Sequence, residues 1–504
     1  MKKQVLSALA FCSALGIAQA QTDVTKEYLV NPSFETLKAA DGATEVAVKT
    51  KLENGLLGWE VADMNDYQVE SEASRSATGF PADGSGKIKP TEGTYYYFNR
   101  VGWSNKDSEL KTTTSKELPA GTYYAVIDYK AADYSNNNNA NNNGTTIGIK
   151  VNGAASDLLG ENPAVRRAYS IANNGSNPGN DAYMVNAAWN ELGTMFTVTE
   201  PTTVTISLVQ NMKNHGRSDI AWDNLRLYQI ENVSENKPMD VSGLITTSNY
   251  YALGGWNIEG GNTFQVNTWS TEGEKDGSGM TTPFIQDHVG KENKAANATI
   301  SHTVNHLIPG IYEVSGLIRV LNEAGGDTPS GATLYANEGS TNACNGNPCT
   351  NGVYGTYTVK GTVGTDGVLT FGIKVANANF NWVSFKNFKL QYLGAASIEQ
   401  LQATLKEKIE EAKAYVENCP KGIAAIVNAA ITQGDNAQPT EESLNAAIAA
   451  LTQAIALAEE TAPATEAFKT LMATCQGYAG HSSAEESVKQ AFQKAMSDAQ
   501  AALD

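Results

Sequence analysis

The stretch Trp222-Asp-Asn-Leu-Arg-Leu-Tyr228 occurs twice, and that repetition decides the fold. The second copy is Phe385-Lys-Asn-Phe-Lys-Leu-Gln-Tyr392. Each sets an aromatic two residues ahead of an Asn, then alternates apolar and charged side chains. A two-residue period belongs to a strand with one face on a core. Upstream, GLLGW at 55–59 is echoed by ALGGW at 252–256, and LPAGTYYAVIDY at 118–129 by LIPGIYEVSGLI at 307–318. Three matches in one order predict two related β domains, each closed by the repeated strand.

Within the first domain the clearest strands are 122–129, 146–151, 202–209 and 220–228; in the second they are 311–321, 357–363, 368–374 and 383–392. All are rich in β-branched and aromatic residues and bounded by Gly, Pro or Asn. Residues 28–35 (YLVNPSFE) read as an edge strand leading into a turn, because Pro32 cannot serve a central ladder. No helical pattern alternates with the strands. That excludes a parallel βαβ sheet and favours antiparallel jelly-roll β-sandwiches. The expected bounds are 24–231 for the first sandwich, 232–239 for a polar linker and 240–394 for the second sandwich. The run SNNNNANNNG at 135–144 has nothing to bury and reads as a surface loop.

At Ala395 the composition switches to Ala and Glu, so 395–504 reads as a helical bundle. Ser397-Ile-Glu-Gln400 is a capping box. Leu401, Leu405, Ile409, Ala412 and Val416 then form an apolar stripe. Pro420 stops that helix. A second helix covers 422–433, and a third starts at the Thr440 cap. These three make one unit over 397–461. Pro463 is expected to separate a fourth helix from the third, and a fifth starts at Ser482 or Ser483. The last two resemble the opening of a second such unit. Two readings stay open: the front of a longer protein, or a five-helix bundle complete in itself. The overall class is multidomain and mainly β, two sandwiches followed by helices.

The chain opens Met-Lys-Lys, then runs apolar to the small-residue site Ala18-Gln19-Ala20. Residues 1–20 therefore read as a secretory signal peptide. No later stretch is apolar enough to span a membrane. The expected location is secreted, cell surface or periplasm. A net charge of −18 with no basic stripe opposes nucleic acid as a partner. Beyond Ala20 the cysteines are Cys344, Cys349, Cys419 and Cys475. An even set in an exported chain favours disulfides, Cys344 with Cys349 across a tight loop and Cys419 with Cys475 between helices. No His stands at zinc-ligand spacing from them.

YLVNPSFE, Gly58-Trp59, LPAGTYY and WDNLRLY resemble the galactose-binding-like jelly rolls of the carbohydrate-binding-module type. The second domain's Gly255-Trp256, IPGIY and FKNFKLQY resemble the same family more faintly. The helices resemble FIVAR-type modules of secreted modular proteins from glycan-degrading bacteria. The resemblance covers nearly all of the chain beyond Ala20. It implies sugar binding by loops at one end of each sandwich, and a structural calcium in many members. No dense carboxylate loop supplies such a site here, so the metal stays open, and no cofactor is expected.

A sugar ring offers apolar C–H faces and hydroxyls, so its binder wants an exposed aromatic plate beside polar groups. In the first sandwich Arg100 and Trp103, Trp189, and the loop bearing His215 and Arg217 meet that description. In the second the set is Trp269, Asp287, His288 and Trp382. Trp59, Trp222 and Trp256 sit at shared strand positions and read as core. His302 and His306 read as ordinary surface residues. There is no G-x-S-x-G elbow, no H-E-x-x-H and no phosphate loop, so nothing supports an enzyme. The sequence thus describes an exported, non-catalytic binder of an extracellular glycan. A scaffold or adhesin for other cell-surface proteins, and the accessory front of a glycoside hydrolase or peptidase, are the alternatives.

Overall fold

The computed structural model describes residues 20–62, 66–71, 88–101, 107–133, 146–154, 156–164, 169–170, 189–211, 218–245, 256–261, 264–267, 284–325, 328–337, 339–343, 354–416, 419–476 and 486–503. Residues 1–19, read above as most of a signal peptide, and the run at 135–144 lie outside them.

The first sandwich sets a larger sheet against a smaller one. The larger runs in the order Asn190–Val198, Gly121–Asp133, Ser218–Ile230, Tyr95–Val101, Asp66–Ser71. The smaller holds Glu60–Ala62, Ser108–Thr113, Val204–Asn211, Thr146–Gly153 and Ser156–Ala164. Pairing is antiparallel except for a two-residue parallel contact of Ala132 and Asp133 with Tyr169 and Ser170. Tyr97, Tyr129 and Trp222 meet in register and fill the space between the sheets, with Ile149, Ile206 and Leu208 opposite. Each such side chain, fully buried, stabilises by about 1.5–3 kcal/mol. Trp59 lies in this core too, stacked on Phe34 at 4.8 Å.

The second sandwich repeats the plan. Its larger sheet runs Phe264–Asn267, Phe284–His288, Trp382–Tyr392, Gly310–Leu321, Gly355–Val363. Its smaller sheet holds Trp256–Gly260, Ala298–Val304, Leu369–Val375, Ala332–Ala336 and Gly339–Ala343. Trp256 is core, as the sequence implies, but His302 is not a surface residue. It is buried, with its ring 5.4 Å from Trp256 and 5.5 Å from Phe371.

The repeated strand is not the uninterrupted strand its alternation suggests. In both sandwiches it bulges at the shared Asn. Asp223 pairs with Asp128, and the next pair is Arg226 with Val126. Lys386 pairs with Leu317, and the next pair is Lys389 with Ser315. Asn224 and Asn387 both take φ 54°, the left-handed region that Asn tolerates better than most residues. The bulge keeps Leu225 and Phe388 pointing inward. The LPAG-type turns also match. Tyr123 donates to Pro119 O at 2.8 Å, and Tyr312 to Ile308 O at 2.9 Å. Tyr312 further reaches Met195 Sδ of the first sandwich, 3.5 Å away, where Val241 and Leu244 share the same core.

Residues 28–35 depart from the expected edge strand. Thr25–Tyr28 is one helical turn, and the chain then turns through Asn31 and Phe34, both at positive φ. Gly58 must be Gly: its φ is +80°, and a Cβ there would run into the Val30 carbonyl.

The helical unit holds Ile398–Val416, Lys421–Asp435, Glu441–Gln476 and Glu486–Leu503. The capping box forms as read: Ser397 N donates to Gln400 Oε1, and Gln400 N to Ser397 Oγ. Leu405, Ile409, Val427, Leu444 and Leu451 build its core. Pro463 does not divide two helices but sits inside one. Thr461 and Thr465 hydroxyls bond back to the carbonyls of Leu457 and Thr461, both at 2.9 Å; the carbonyl that loses its donor at Pro463 is that of Glu459, four residues back. Cys419 and Cys475 are free, contrary to the expected bridge. The charge of Lys469 acts on Cys419, and Cys475 stands six residues, about 9 Å, further along that helix. Cys344 and Cys349 lie outside the described residues.

Candidate functional site

Each larger sheet turns one face to the core and the other outward. The outer faces carry the polar groups. In the first sandwich the segment Ile88–Thr94 crosses this face, and motif residues of the chain's start hold it there. Ser33 donates to Glu92 at 2.6 Å, and Glu35 accepts from Thr94 N and Tyr95 N at 2.9 and 2.8 Å. Asp223 Oδ2 accepts from Thr91 N at 2.7 Å and Thr91 Oγ1 at 3.0 Å. Burial pushes the Asp223 carboxyl up to about 7.

The crossing segment positions Trp189. The indole Nε1 donates to Lys89 O at 2.8 Å. Tyr96 meets the ring edge-on, 6.1 Å away at 73°, and Lys130 Nζ stands 5.7 Å from the ring centre. Ile88, Phe98 and Ala221 complete the patch. Trp189 itself is only half-buried. The result is a fixed aromatic plate with an ammonium over its ring.

The second sandwich repeats this plate with a residue the sequence reading did not select. Val198 pairs with Gly121, and Val363 with Gly310, so the two strands correspond residue by residue. Trp189 and Tyr354 then fall at the same place, one residue ahead of their strands. Likewise Tyr96 corresponds to Phe284, through Tyr97 paired with Trp222 and Ile285 with Phe385. Phe284 meets Tyr354 edge-on, 6.4 Å away at 71°, and Lys386 Nζ stands 5.0 Å from the Tyr354 centre. The signal was available in the repeat: counting back from Val363 as from Val198 reaches Tyr354.

Trp382 and His288 share the outer face of the second sandwich. His288 stacks on Trp382 at 4.4 Å, and the Arg319 guanidinium lies 4.4 Å from the ring centre. The two come from strands on opposite sides of Trp382, so they cover both ring faces. Trp382 is therefore no open plate. His288 Nε2 and Glu323 Oε2 are 3.0 Å apart, and Asn381 donates to the same oxygen at 2.6 Å. The His288 contact lowers the Glu323 carboxyl below its ordinary range. Asp287 does not join them. It alternates inward with Ile285 and is buried, as is its counterpart Asn99, which donates to Gln210 at 2.7 Å and Ser108 at 3.1 Å of the facing sheet. Arg100 sits in its strand opposite Asp219 and Asp66. Trp103, His215, Arg217 and Trp269 lie outside the described residues. Among the described residues no group of three or more His, Cys, Asp or Glu could hold a metal.

No family model matches the sequence, and no curated protein matches it. Solved structures do. The tandem CBM22 domain of Paenibacillus barcinonensis Xyn10C covers 76% of this chain and all of its own length, at 10% identity and a TM-score of 0.23. TmCBM61, solved with β-1,4-galactotriose, covers 40% of this chain and 97% of its own, at 16% identity and a TM-score of 0.23. A Stig cyclase from Fischerella sp. TAU covers 40% and 97%, at 11% identity and a TM-score of 0.26. Carbohydrate-binding modules thus stand among these neighbours beside an enzyme, and likenesses this faint do not decide between them.

Proposed function

We propose that this chain is an exported, non-catalytic carbohydrate-binding protein whose sandwiches read a glycan on the outer faces of their larger sheets. The observation that carries the reading is the repeated plate, Trp189 on Tyr96 and Tyr354 on Phe284. A half-buried ring held edge-on by a second ring presents a flat apolar surface with little rotamer freedom left to lose. The neighbouring ammonium groups and hydroxyls suit a ligand with C–H faces and many oxygens. The leader at Met1–Ala20 supports export, and the helical unit would present the sandwiches to the glycan.

Affinity electrophoresis of the full chain through gels loaded with neutral and acidic polysaccharides tests this. At least one gel retards the wild type, and Trp189→Ala with Tyr354→Ala together restore free migration. A folded wild type that no polysaccharide retards defeats the reading.

A further inference from the structure

The two plates match, but the charges around them do not. Lys130 and Arg319 hold equivalent positions. Beside them Asp128 corresponds to Leu317, Asp223 to Lys386 and Ala221 to Ser384. One buried cation and two buried acids in the first sandwich thus become two buried cations in the second. Arg319 stands directly opposite Ser384, about 5 Å away between Cβ atoms. Lys386 lies two residues along the same strand face, about 7 Å on.

Two further groups on this face are buried donors without a partner. Trp382 Nε1 and Ser384 Oγ make no hydrogen bond, though Ser384 is fully buried and Trp382 is 6% exposed. Leaving a buried polar group unmade costs about 1–3 kcal/mol, so such groups point to something that completes them. An indole N–H can only donate, as can an ammonium and a guanidinium, and a hydroxyl donates readily. A row of donors with two positive charges matches an oxyanion.

We infer that the second sandwich takes an anionic sugar, with its carboxylate or sulfate received by Trp382 Nε1, Ser384 Oγ, Lys386 and Arg319, and its ring laid against Tyr354. This rests on the carbohydrate reading above and adds the ligand's charge class. The first sandwich, with Asp128 and Asp223 in the corresponding places, takes a neutral one. The chain's net charge of −18 repels polyanions at long range, so the recognition is local and short ligands reveal it best.

Calorimetric titration of the full chain with three hexasaccharides tests the inference: neutral β-1,4-galactan, oligogalacturonate and sulfated κ-carrageenan fragments. The expected result is that one anionic hexamer binds through the second sandwich. Trp382→Phe, which keeps the stacked ring and removes the N–H, and Lys386→Met each weaken it tenfold or more, while Lys374→Met, at an exposed lysine of the smaller sheet, leaves it unchanged. Preference between the galacturonate and the sulfate identifies which oxyanion is received. If Lys386→Met loses its fold by circular dichroism, Trp382→Phe and Ser384→Ala carry the test. Anionic binding that survives these variants, or neutral hexamer binding alone, overturns the inference and leaves the carbohydrate reading standing. No binding of any hexamer, together with no retardation in the gels, removes both.

Discussion

Trp189 and Tyr354 stand at one and the same place in the two sandwiches, each a residue ahead of the strand that pairs with the LPAG-type strand. Each is met edge-on by the aromatic at the corresponding position of another strand of the same sheet, at 6.1 and 6.4 Å. Both plates belong to one compact body, because Met195, Leu244 and Tyr312 share a core across the two sandwiches. Two sites on one body, engaging one polymer, gain affinity from each other without new contacts. The expected outcome is a contrast. On a polysaccharide carrying both ligand types, Trp189→Ala or Tyr354→Ala alone loses at least as much affinity as the same variant loses on short oligosaccharides. Measuring both ligand lengths by calorimetry checks it.

The shared Asn of the repeat offers a second test. Asn387 is exposed and held at φ 54° by the bulge. A residue with an ordinary Cβ in that region costs about 1–2 kcal/mol, and Gly costs little. Asn387→Ala is expected to lower stability by about 1 kcal/mol and Asn387→Gly to leave it nearly unchanged. Urea unfolding of the two variants measures the difference. Equal losses would show that the side chain, not the backbone angle, is what the repeat keeps.

That Asn marks how far the sequence was legible. Periodicity exposed the strands, their order and the duplication, because inward side chains must alternate to reach a core. It could not expose the bulge, since Trp222, Leu225 and Leu227 all point inward only after the extra residue resets the alternation. That Trp382 is not an open plate was hidden from the sequence for a related reason. A ring's neighbours come from other strands, and Trp382 loses both faces to His288 and Arg319, which are distant in sequence. Tyr354 looked ordinary in isolation; only its pairing register gives it the role of Trp189.

Asp223 supplies a pH test. Its carboxyl titrates at about 7 in the fold against 3.8 for a free side chain, through burial. The folded state thus binds an extra proton between those values. Its stabilising contribution is full below about pH 4 and is lost as the pH rises through 7, at about 1.4 kcal/mol per unit. Asp223→Asn keeps an oxygen for Thr91 and carries no charge. The variant is expected to gain stability relative to wild type from pH 4 to pH 7, by roughly a few kcal/mol. Denaturant unfolding at stepped pH reads it, and a difference that stays flat over this window sinks the assignment.

Pro463 gives the last test, in the helical unit. It lies well inside Glu441–Gln476, where a proline removes one backbone hydrogen bond and crowds the preceding turn. The carbonyl left without its donor is that of Glu459, and the Thr461 and Thr465 hydroxyls bond Leu457, Ala458 and Thr461 instead, so they do not replace the lost bond. Pro463→Ala restores the N–H and is expected to stabilise the helical unit by up to the ~3 kcal/mol that separates Pro from Ala in a helix interior. Thr461→Ala, made alone, is expected to stabilise it slightly, by about 0.5 kcal/mol, since Ala is the better helix former and a Thr hydroxyl bonded back to the i−4 carbonyl slightly weakens a helix. In the Pro463→Ala background the same change has the same effect, because the hydroxyl does not bond the Glu459 carbonyl that lacks a donor. Thermal melts of the full chain followed at the helical signal give all four corners of this cycle. A coupling between the two changes would mean that the hydroxyl does offset the missing N–H and would overturn this expectation.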